Sequence, residues 1–383
     1  MRSRLSAVAV TAASLAVAAC AAASPVAASA AAASPVAANT VVAGSASAQA
    51  AAQVVPATDR NVSFVVDGTT TYGTLDIPAH RRGQRLAAAL LLPGSGPTDR
   101  NGNQPASDLD PQTLKLVAGV LGQQGIMSLR FDKYFSGQTG GGAYASDPGR
   151  IDIQAFIRQA DAAYDVLRDQ PEANPGAMLI AGHSEGGFTA MLVAESVSPR
   201  PAGLALLEPQ DLRILDLVRI QLDEQLSAAL AAGQITNAAF TQNEAGIAAV
   251  IAEFRAGQPV NTAGLLAPVA TLFTEALFSP ANAGYTRSDD DIYPPAVAAR
   301  LPRGTRVLVT CGTADTNVPC STTPPLIAAL ARTGATGPGL QVLTGVDHLL
   351  HPAGTPANDA ILAPAAVAAL QAFTRPWATG SQP

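Results

Sequence analysis

Short apolar runs alternate with longer segments of helical spacing along most of the chain. The runs RLAAALLLPG (85–94), IMSLRFD (126–132) and AMLIAG (177–182) are continuous, which is typical of strands buried on both faces. The segment PQTLKLVAGVLGQQG (111–125) begins with proline and ends with glycine, as helices commonly do. Residues 151–170 repeat apolar positions at helical intervals. This alternation predicts an α/β fold whose mostly parallel sheet has helices on both faces.

A hairpin precedes this alternation, and one long helical stretch interrupts it. The runs NVSFVVDG and TTYGTLDIP (61–78) predict an opening antiparallel hairpin. Residues 211–292 show helical patterns without a convincing strand, and strand patterns resume at 305–312 and 339–345. We therefore expect one domain over 58–383, with an inserted helical cap at about 211–292.

The amino end has the features of an export signal. Two arginines precede an apolar stretch at residues 5–19, and small residues follow it. The run VAAC, which ends at Cys20, resembles the lipobox of bacterial lipoproteins, so residues 1–20 predict a signal peptide with lipidation of Cys20. Ordinary cleavage further on, for example at 28–30, is the alternative.

Residues 21–57 consist mainly of Ala, Ser, Pro and Val, and we interpret them as a disordered spacer because they offer few large side chains to bury. The first 57 residues together predict export from a bacterial cytoplasm, followed by lipid anchoring at the envelope or secretion. A membrane contact is expected through the lipid anchor alone.

Composition and charge narrow the function classes. The 383 residues carry a formal net charge of -6 without a clustered Lys/Arg stripe, so nucleic-acid binding is set aside. Cys311 and Cys320 have no histidine near them in the sequence, which disfavours zinc, and export favours a disulfide between them. No cofactor or metal is expected, and the sequence leaves the oligomeric state open.

The candidate nucleophile is Ser184 in the segment GHSEGG (182–187). This G-x-S-x-G match is weak by itself in a chain with 33 glycines. It follows a buried strand and opens a helix, however, which is the setting of a nucleophile elbow. The alternative is a small residue in a tight turn.

A serine nucleophile needs a base, and the chain has four histidines. His183 lies inside the elbow and is expected to point away from Ser184, and His80 lies in a basic loop. We favour His348, the first histidine after the last predicted strand, with His351 as the second candidate.

Three carboxylates could orient the base. Asp315 follows a buried strand and gives the chain order Ser, Asp, His that is expected of an α/β-hydrolase. Glu208 also ends a strand and is a rival, and Asp347 adjoins His348 in sequence. A disulfide between Cys311 and Cys320 would close the loop that carries Asp315 and so hold the acid in place.

Acyl transfer also requires N–H donors for the oxyanion. The backbone N–H of Glu185, directly after the nucleophile, is one candidate. The second is expected in the glycine-rich loop LLLPGSGPTDRNGN (90–103), with the N–H of Ser95 favoured and that of Gly96 next. A plain Gly/Pro turn is the alternative for this loop.

Five segments resemble, in order, landmarks of the α/β-hydrolase superfamily: LLLPGSGPTDRNG, RFDKYFSGQ, GHSEGG, GTADTNVP and GVDHLL. They are most similar to bacterial carboxylesterases with a P-G-S-G-P-x-D-R-x-G loop, and the likeness spans residues 62–373. The resemblance implies Ser184 as nucleophile, Asp315 as acid, His348 as base and the Ser95 loop as half of the oxyanion hole. The sequence departs from the family in FDKYFSGQ, where Arg-Gly usually follows the lysine, so no role for Tyr134 is carried over.

These observations predict an exported serine hydrolase that cleaves small-molecule carboxylic esters. The Leu-, Ala- and Ile-rich cap favours small or medium apolar substrates. One alternative is a serine aminopeptidase on the same scaffold, which would need cap carboxylates such as Asp223, Glu224 and Glu244 to hold an amino terminus. Another is a non-catalytic envelope binding protein.

Overall fold

The computed structural model describes residues 53–378. The predicted signal peptide, Cys20 and residues 21–52 of the predicted spacer lie outside the described residues. The end of the predicted spacer differs from expectation, because the short strand Val54–Val55 pairs antiparallel with His80–Arg81. Two extended segments can exchange backbone hydrogen bonds whatever their side chains, so the composition of 53–57 did not reveal this pairing.

Ten strands are present in the described part of the chain: β1 Val54–Val55, β2 Thr58–Val66, β3 Thr69–Ile77, β4 His80–Arg81, β5 Leu86–Leu92, β6 Met127–Phe131, β7 Ala173–His183, β8 Gly203–Leu207, β9 Arg306–Gly312 and β10 Thr336–Leu343. The α-helices are α1 Thr113–Gln123, α2 Ile153–Arg168, α3 Glu185–Ser196, α4 Ile214–Ala231, α5 Asn237–Arg255, α6 Ala267–Thr271, α7 Ala283–Asp290, α8 Pro294–Ala298, α9 Pro324–Arg332 and α10 Pro364–Thr374. A π-helical turn, Leu272–Leu277, continues α6, and short 3-10 turns lie at Pro105–Ser107, Gly142–Tyr144, Pro148–Arg150 and Cys320–Thr322.

The main sheet has eight strands in the order β10, β9, β8, β7, β5, β6, β3, β2. Strands β5 to β10 run parallel to one another, whereas β3 pairs antiparallel with both β2 and β6. The predicted opening hairpin is β2 and β3. Because the parallel strands share one direction, their carboxyl ends meet along one edge of the sheet.

Apolar side chains cover both faces of this sheet, as the continuous apolar runs predict. In β5, Leu90 and Leu92 belong to the core under α2, α3, α8 and α9, whereas Leu91 belongs to the core under α1 and α10. This alternation follows from the two-residue period of a strand. The chain thus has the α/β arrangement with helices on both faces.

The segment between β8 and β9 is helical, from α4 to α8, and its first helices have a core of their own. This core includes Leu215, Val218, Leu222, Ile247 and Phe273, with other side chains of α4, α5, α6 and the π-helical turn. Because the segment buries these apolar side chains within itself, it can stand over the carboxyl edge of the sheet as a cap.

Candidate active site

Residues from six neighbouring strands line up along the carboxyl edge of the sheet. In sheet order, the strands β10, β9, β8, β7, β5 and β6 are followed by His348, Asp315, Glu208, Ser184, Gly94 and Lys133. The cap covers this edge, and a cavity with a volume of about 230 Å³ lies between the cap and Ser184. The sheet topology therefore gathers side chains that are far apart in the sequence into one site.

Ser184 lies on a strained turn between β7 and α3. Its φ is 57° and its ψ is −123°, a conformation that costs about 1–3 kcal/mol in a non-glycine residue. Three backbone hydrogen bonds fix the turn: Ser184 N donates to Leu207 O, and Ser184 O accepts from the N–H groups of Gly187 and Gln210. The strain is therefore held by the surrounding structure, with Ser184 at the edge of the cavity.

Glycine at 186 is required by the packing of this turn. A Cβ at Gly186 would lie 2.2 Å from the carbonyl oxygen of Leu92, closer than any ordinary contact. The first turn of α3 can thus pass directly against the end of β5. The glycine of the motif accordingly has a packing reason beyond the motif itself.

His348 links Ser184 to Asp315 through its two ring nitrogens. His348 Nε2 lies 3.0 Å from Ser184 Oγ, and His348 Nδ1 lies 2.8 Å from Asp315 Oδ2. A carboxylate only accepts, so Nδ1 carries the proton and neutral Nε2 can accept from the serine hydroxyl. The structure brings the three favoured residues together in one hydrogen-bonded chain.

Asp315 is held rigidly. Its Oδ1 accepts from the backbone N–H groups of Asn317 (2.7 Å) and Val318 (2.9 Å), which leaves Oδ2 for His348. Cys311 and Cys320 form a disulfide on either side of this loop. The loop that carries the acid is therefore closed covalently and by hydrogen bonds.

Burial and charge act in opposite directions on His348. Burial lowers the pKa of the imidazole, but the charge of Asp315 and its hydrogen bond, with a smaller contribution from Asp347, raise it by more. The net pKa of His348 is above its ordinary value. The ring is thus a stronger base than a free histidine.

The rival acids occupy other positions. Glu208 Oε2 accepts from the backbone N–H of Gly312 over 2.7 Å, and Oε1 is buried without a hydrogen-bond partner in the described part of the chain. Burial and the charge of Asp315 raise the pKa of Glu208 to about 8. Asp347 Oδ1 accepts from the N–H groups of Leu349 and His351 and so shapes the turn that carries His348.

The other histidines are also accounted for. His183, whose ring the sequence predicts to point away from Ser184, lines the same cavity, and its Nε2 donates to the carbonyl of His348 over 2.6 Å. Burial, followed by the charge of His348, lowers the pKa of His183 to about 3, so this ring stays neutral. The side chain of His351 is buried, and neither ring nitrogen has a hydrogen-bond partner within residues 53–378.

The glycine-rich loop after β5 passes beside the serine. A Cβ placed on Gly94 would lie 3.2 Å from Ser184 Cβ, so the loop backbone is in close reach of the nucleophile. Gly94 and Ser95 both line the cavity. The carbonyl of Ser95 accepts from Thr98 Oγ1 (2.8 Å) and from Gln104 Nε2 (2.7 Å), which fixes the loop from its other side.

Lys133 is a buried residue of this site that sequence reasoning missed. Its Nζ donates to Glu185 Oε1 (2.8 Å) and to the carbonyl of Gly94 (3.1 Å). Glu185 Oε2 accepts in turn from the hydroxyl of Tyr285 on cap helix α7. The available signal was a lysine directly after a buried strand, where a charge is expected to need a partner. The neighbouring Tyr134 packs against aromatic rings, and its hydroxyl donates to the carbonyl of Val66.

Apolar and neutral polar groups form the wall of the cavity. Leu114, Ile214, Leu217, Val218 and Val318 supply apolar side chains, and Gln104, Gln210, Gln221 and Asn317 supply amides. Asp347 is the one carboxylate among its described lining residues. Asp223, Glu224 and Glu244, which an aminopeptidase would need, do not line it.

Metal sites and membrane-spanning helices are both absent from residues 53–378. These residues contain no group of three or more His, Cys, Asp or Glu side chains placed to hold a metal ion. Among the same residues, no helix is both long and apolar enough to cross a bilayer.

Solved structures resemble this fold across most of its length. Est1E from Butyrivibrio proteoclasticus, with ferulic acid bound, is 16% identical and matches 82% of this chain and 98% of its own, with a TM-score of 0.50. The Pyrococcus furiosus esterase Pf2001 is 12% identical over 84% of this chain and 91% of its own (TM-score 0.50). A puromycin hydrolase is 16% identical over 83% of this chain and 39% of its own (TM-score 0.51).

These structures show the α/β-hydrolase fold that the sequence predicted. No protein-family model matches the sequence, and no protein of curated function matches it. The likeness therefore establishes the scaffold, and the case for an activity depends on the site itself.

Proposed function

We propose that this protein is a serine hydrolase that cleaves carboxylic esters through an acyl-enzyme. The observation that carries the proposal is the hydrogen-bonded chain from Ser184 Oγ through His348 to Asp315. Each residue type in this chain has the chemistry that its place requires: a hydroxyl, an imidazole of raised pKa and a carboxylate that accepts from the imidazole.

In the proposed reaction, Ser184 Oγ attacks the ester carbonyl carbon while His348 Nε2 takes the hydroxyl proton. The C=O electron pair moves to oxygen, and the backbone N–H groups of Glu185 and Ser95 stabilise that oxyanion. The tetrahedral intermediate re-forms the C=O bond and breaks the ester C–O bond, and the alkoxide takes the proton from His348 and leaves as an alcohol. Water then attacks the acyl-enzyme by the same steps and releases the carboxylic acid and free Ser184.

The cavity favours a small or medium neutral substrate. Its volume of about 230 Å³ is below the range of about 300–1,000 Å³ that is common for drug-sized ligands. Leucine and isoleucine side chains of α4 face the space next to Ser184, and the polar lining is mostly uncharged. An apolar acyl or alcohol group would be accommodated there without an unpaired charge.

The lining also ranks the alternatives. An aminopeptidase must hold a protonated amino terminus, but Asp347 is the sole carboxylate among the described lining residues and its Oδ1 already accepts two N–H groups. Binding without catalysis does not require a serine in a strained backbone conformation, nor a histidine within hydrogen-bond distance of its hydroxyl, and Ser184 has both. Ester hydrolysis is the function that these observations support best.

Active-site labelling tests the proposal. A fluorophosphonate probe should modify wild-type protein at Ser184 and leave Ser184→Ala unmodified, and the wild type should hydrolyse p-nitrophenyl acetate or butyrate. If the probe does not label Ser184 in folded wild-type protein, the proposal is overturned and a binding protein is favoured. Faster cleavage of an aminoacyl anilide than of a short acyl ester would instead favour the peptidase.

Export with a lipid anchor at Cys20 is a separate proposal that depends on residues 1–20. Expression of the full chain in a bacterium with radiolabelled palmitate should label wild-type protein but not Cys20→Ala. Release of unlabelled, shortened protein into the medium would favour ordinary cleavage at 28–30.

A further inference from the structure

Lys133 connects the two sides of the proposed oxyanion hole. Its ammonium contacts Gly94 in the loop after β5 and Glu185 at the start of α3, over 3.1 Å and 2.8 Å. It also lies 4.5 Å from the centre of the Phe156 ring. Lys133 and Glu185 are 4% and 2% exposed, so this ion pair is shielded from water. Such a pair acts over a fixed geometry with little screening.

The contact with Gly94 determines how one donor points. The carbonyl of Gly94 and the N–H of Ser95 belong to the same peptide group, which is planar and trans. The two bonds therefore point in opposite directions. Holding the carbonyl toward Lys133 turns the N–H of Ser95 to the opposite side.

The contact with Glu185 determines where the other donor lies. The backbone N–H of Glu185 is the second proposed donor, and its side chain is held by Lys133 on one oxygen and by Tyr285 on the other. Residue 185 can then shift little relative to residue 94. The Lys133 ammonium thus fixes the direction of the Ser95 N–H and the distance between that group and the Glu185 N–H.

The cap takes part in the same arrangement. Tyr285 and Asp289 both belong to α7, and Asp289 Oδ1 accepts from Gln210 Nε2 over 2.8 Å. The backbone N–H of Gln210 donates to the carbonyl of Ser184 over 3.0 Å. Helix α7 is therefore connected to the nucleophile and, through Glu185 and Lys133, to the donor loop.

From this geometry we propose that Lys133 is a positioning residue, which orients the Ser95 and Glu185 N–H groups toward the oxyanion without contacting the substrate. The inference rests on the proposed ester hydrolysis. It predicts a loss that is specific to the transition state, since the ground-state ester carbonyl depends less on these donors than the oxyanion does.

The test compares Lys133→Met with wild-type protein on p-nitrophenyl butyrate. We expect kcat to fall about 10- to 100-fold and KM to change less than about 3-fold, because a misplaced donor approaches the loss of about 10²–10³ seen when one donor is removed. A trifluoromethyl ketone, which Ser184 converts to a tetrahedral oxyanion adduct, should bind weaker by the same factor as kcat falls. A residue that only stabilises the fold would lower the melting temperature and leave kcat and inhibitor affinity unchanged below it.

Controls separate positioning from stability. Lys133→Met leaves the Glu185 carboxylate without its cation, so the double variant Lys133→Met with Glu185→Gln removes both charges and keeps an acceptor for Tyr285. It should show the same loss of kcat. Arg306→Met is the matched control, because Arg306 is a half-buried cation that donates to two backbone carbonyls of α10, and it lies at the amino end of β9, at the edge of the sheet opposite to the site. Its kcat should stay within about 3-fold of wild type, since removal of a group away from the reacting atoms leaves the oxyanion contacts in place.

Three outcomes would overturn the inference: unchanged kcat and inhibitor affinity in a folded Lys133 variant, equal losses in kcat for Arg306→Met, or failure of both Lys133 variants to fold, which would make the residue structural. The failure of the proposed function is distinct from these, since wild-type protein would then neither be labelled at Ser184 nor hydrolyse the ester.

Discussion

Asp315 Oδ2 lies 2.8 Å from His348 Nδ1, and two backbone N–H groups hold the other oxygen of the same carboxylate. Asp315→Asn should therefore lower kcat by about 10³–10⁴-fold, because an amide can present its NH₂ group to Nδ1 and favour the wrong tautomer. Steady-state kinetics on a p-nitrophenyl ester would measure this. Glu208→Gln is the control and should retain activity within about 10-fold, because its Oε2 contacts Gly312. The reverse order of losses would make Glu208 the acid.

Activity should depend on pH through His348. The imidazole must be neutral to accept the proton of Ser184, so kcat/KM should rise with pH as His348 loses its proton. Burial lowers the pKa of this histidine but Asp315 raises it by more, so the midpoint of the rise should lie above 6.5, the ordinary value. In Asp315→Asn, the residual activity should rise at a lower pH. A profile that is flat between about pH 5 and 9 would contradict the assignment of His348.

The stability of the protein should decrease with pH through Glu208. Burial and the charge of Asp315 raise its pKa from 4.5 to about 8, so above pH 4.5 the unfolded chain ionises while the folded protein keeps the proton. The contribution of Glu208 to stability is present below pH 4.5 and is lost as the pH rises through about 8. Glu208→Gln has no such proton, so its free energy of unfolding relative to wild type should increase from about pH 5 to pH 8.

The rise in the unfolding free energy of Glu208→Gln relative to wild type should exceed about 1 kcal/mol, since one pKa unit corresponds to about 1.4 kcal/mol. Urea unfolding of both proteins at several pH values measures it. A constant difference between the two proteins across this range would show that Glu208 is ionised in the folded state.

The disulfide should stabilise the loop that carries the acid. In Cys311→Ala with Cys320→Ala, the free energy of unfolding should fall by about 2–3 kcal/mol, as expected for a short closed loop. Because the loop holds Asp315, loss of the disulfide should also lower kcat, whereas KM should change little. Denaturant unfolding and kinetics should be compared with those of Cys20→Ala, a control variant that keeps the disulfide between Cys311 and Cys320. Equal stability with and without the disulfide would contradict the prediction.

The apolar wall of the cavity should limit the acyl chain. Leu217 lines the cavity from α4, so Leu217→Ala should enlarge it and raise the ratio of kcat/KM for hexanoate over acetate about 10-fold, since one methylene in an apolar pocket contributes about 1–3 kcal/mol. Leu222→Ala is the matched control, because Leu222 packs in the core of the cap on the same helix. An equal change of preference in both variants would indicate general loosening of the cap.

Much of the site could be predicted from the sequence because strand ends are local features. Each of Ser184, Asp315 and His348 follows a strand that the sequence pattern predicts, and the carboxyl ends of parallel strands meet at one edge whatever their order in the sheet. Cys311 and Cys320 are close enough in sequence that export alone suggested their pairing. The fold and the favoured triad thus depended on information contained in short segments.

The contacts between distant segments depended on the tertiary structure. The sequence predicts that the ring of His183 points away from Ser184 but does not reveal its partner, which is the carbonyl of His348, 165 positions later. It left Asp315 and Glu208 as rivals, because both end strands and only their distance to an imidazole distinguishes them. Side-chain direction at a strand end depends on the neighbouring loops, and local periodicity does not contain it.

The sequence by itself determined the layered α/β scaffold, the helical character of the cap segment and the strand ends that carry reactive side chains, because hydrophobic periodicity and turn residues are local. Only the tertiary structure decided that Lys133 joins Gly94 to Glu185 and that Tyr285 of the cap completes the cluster. The strength of a buried ion pair depends on the distance between the charges and on the exclusion of water around them. Both are properties of the packed molecule.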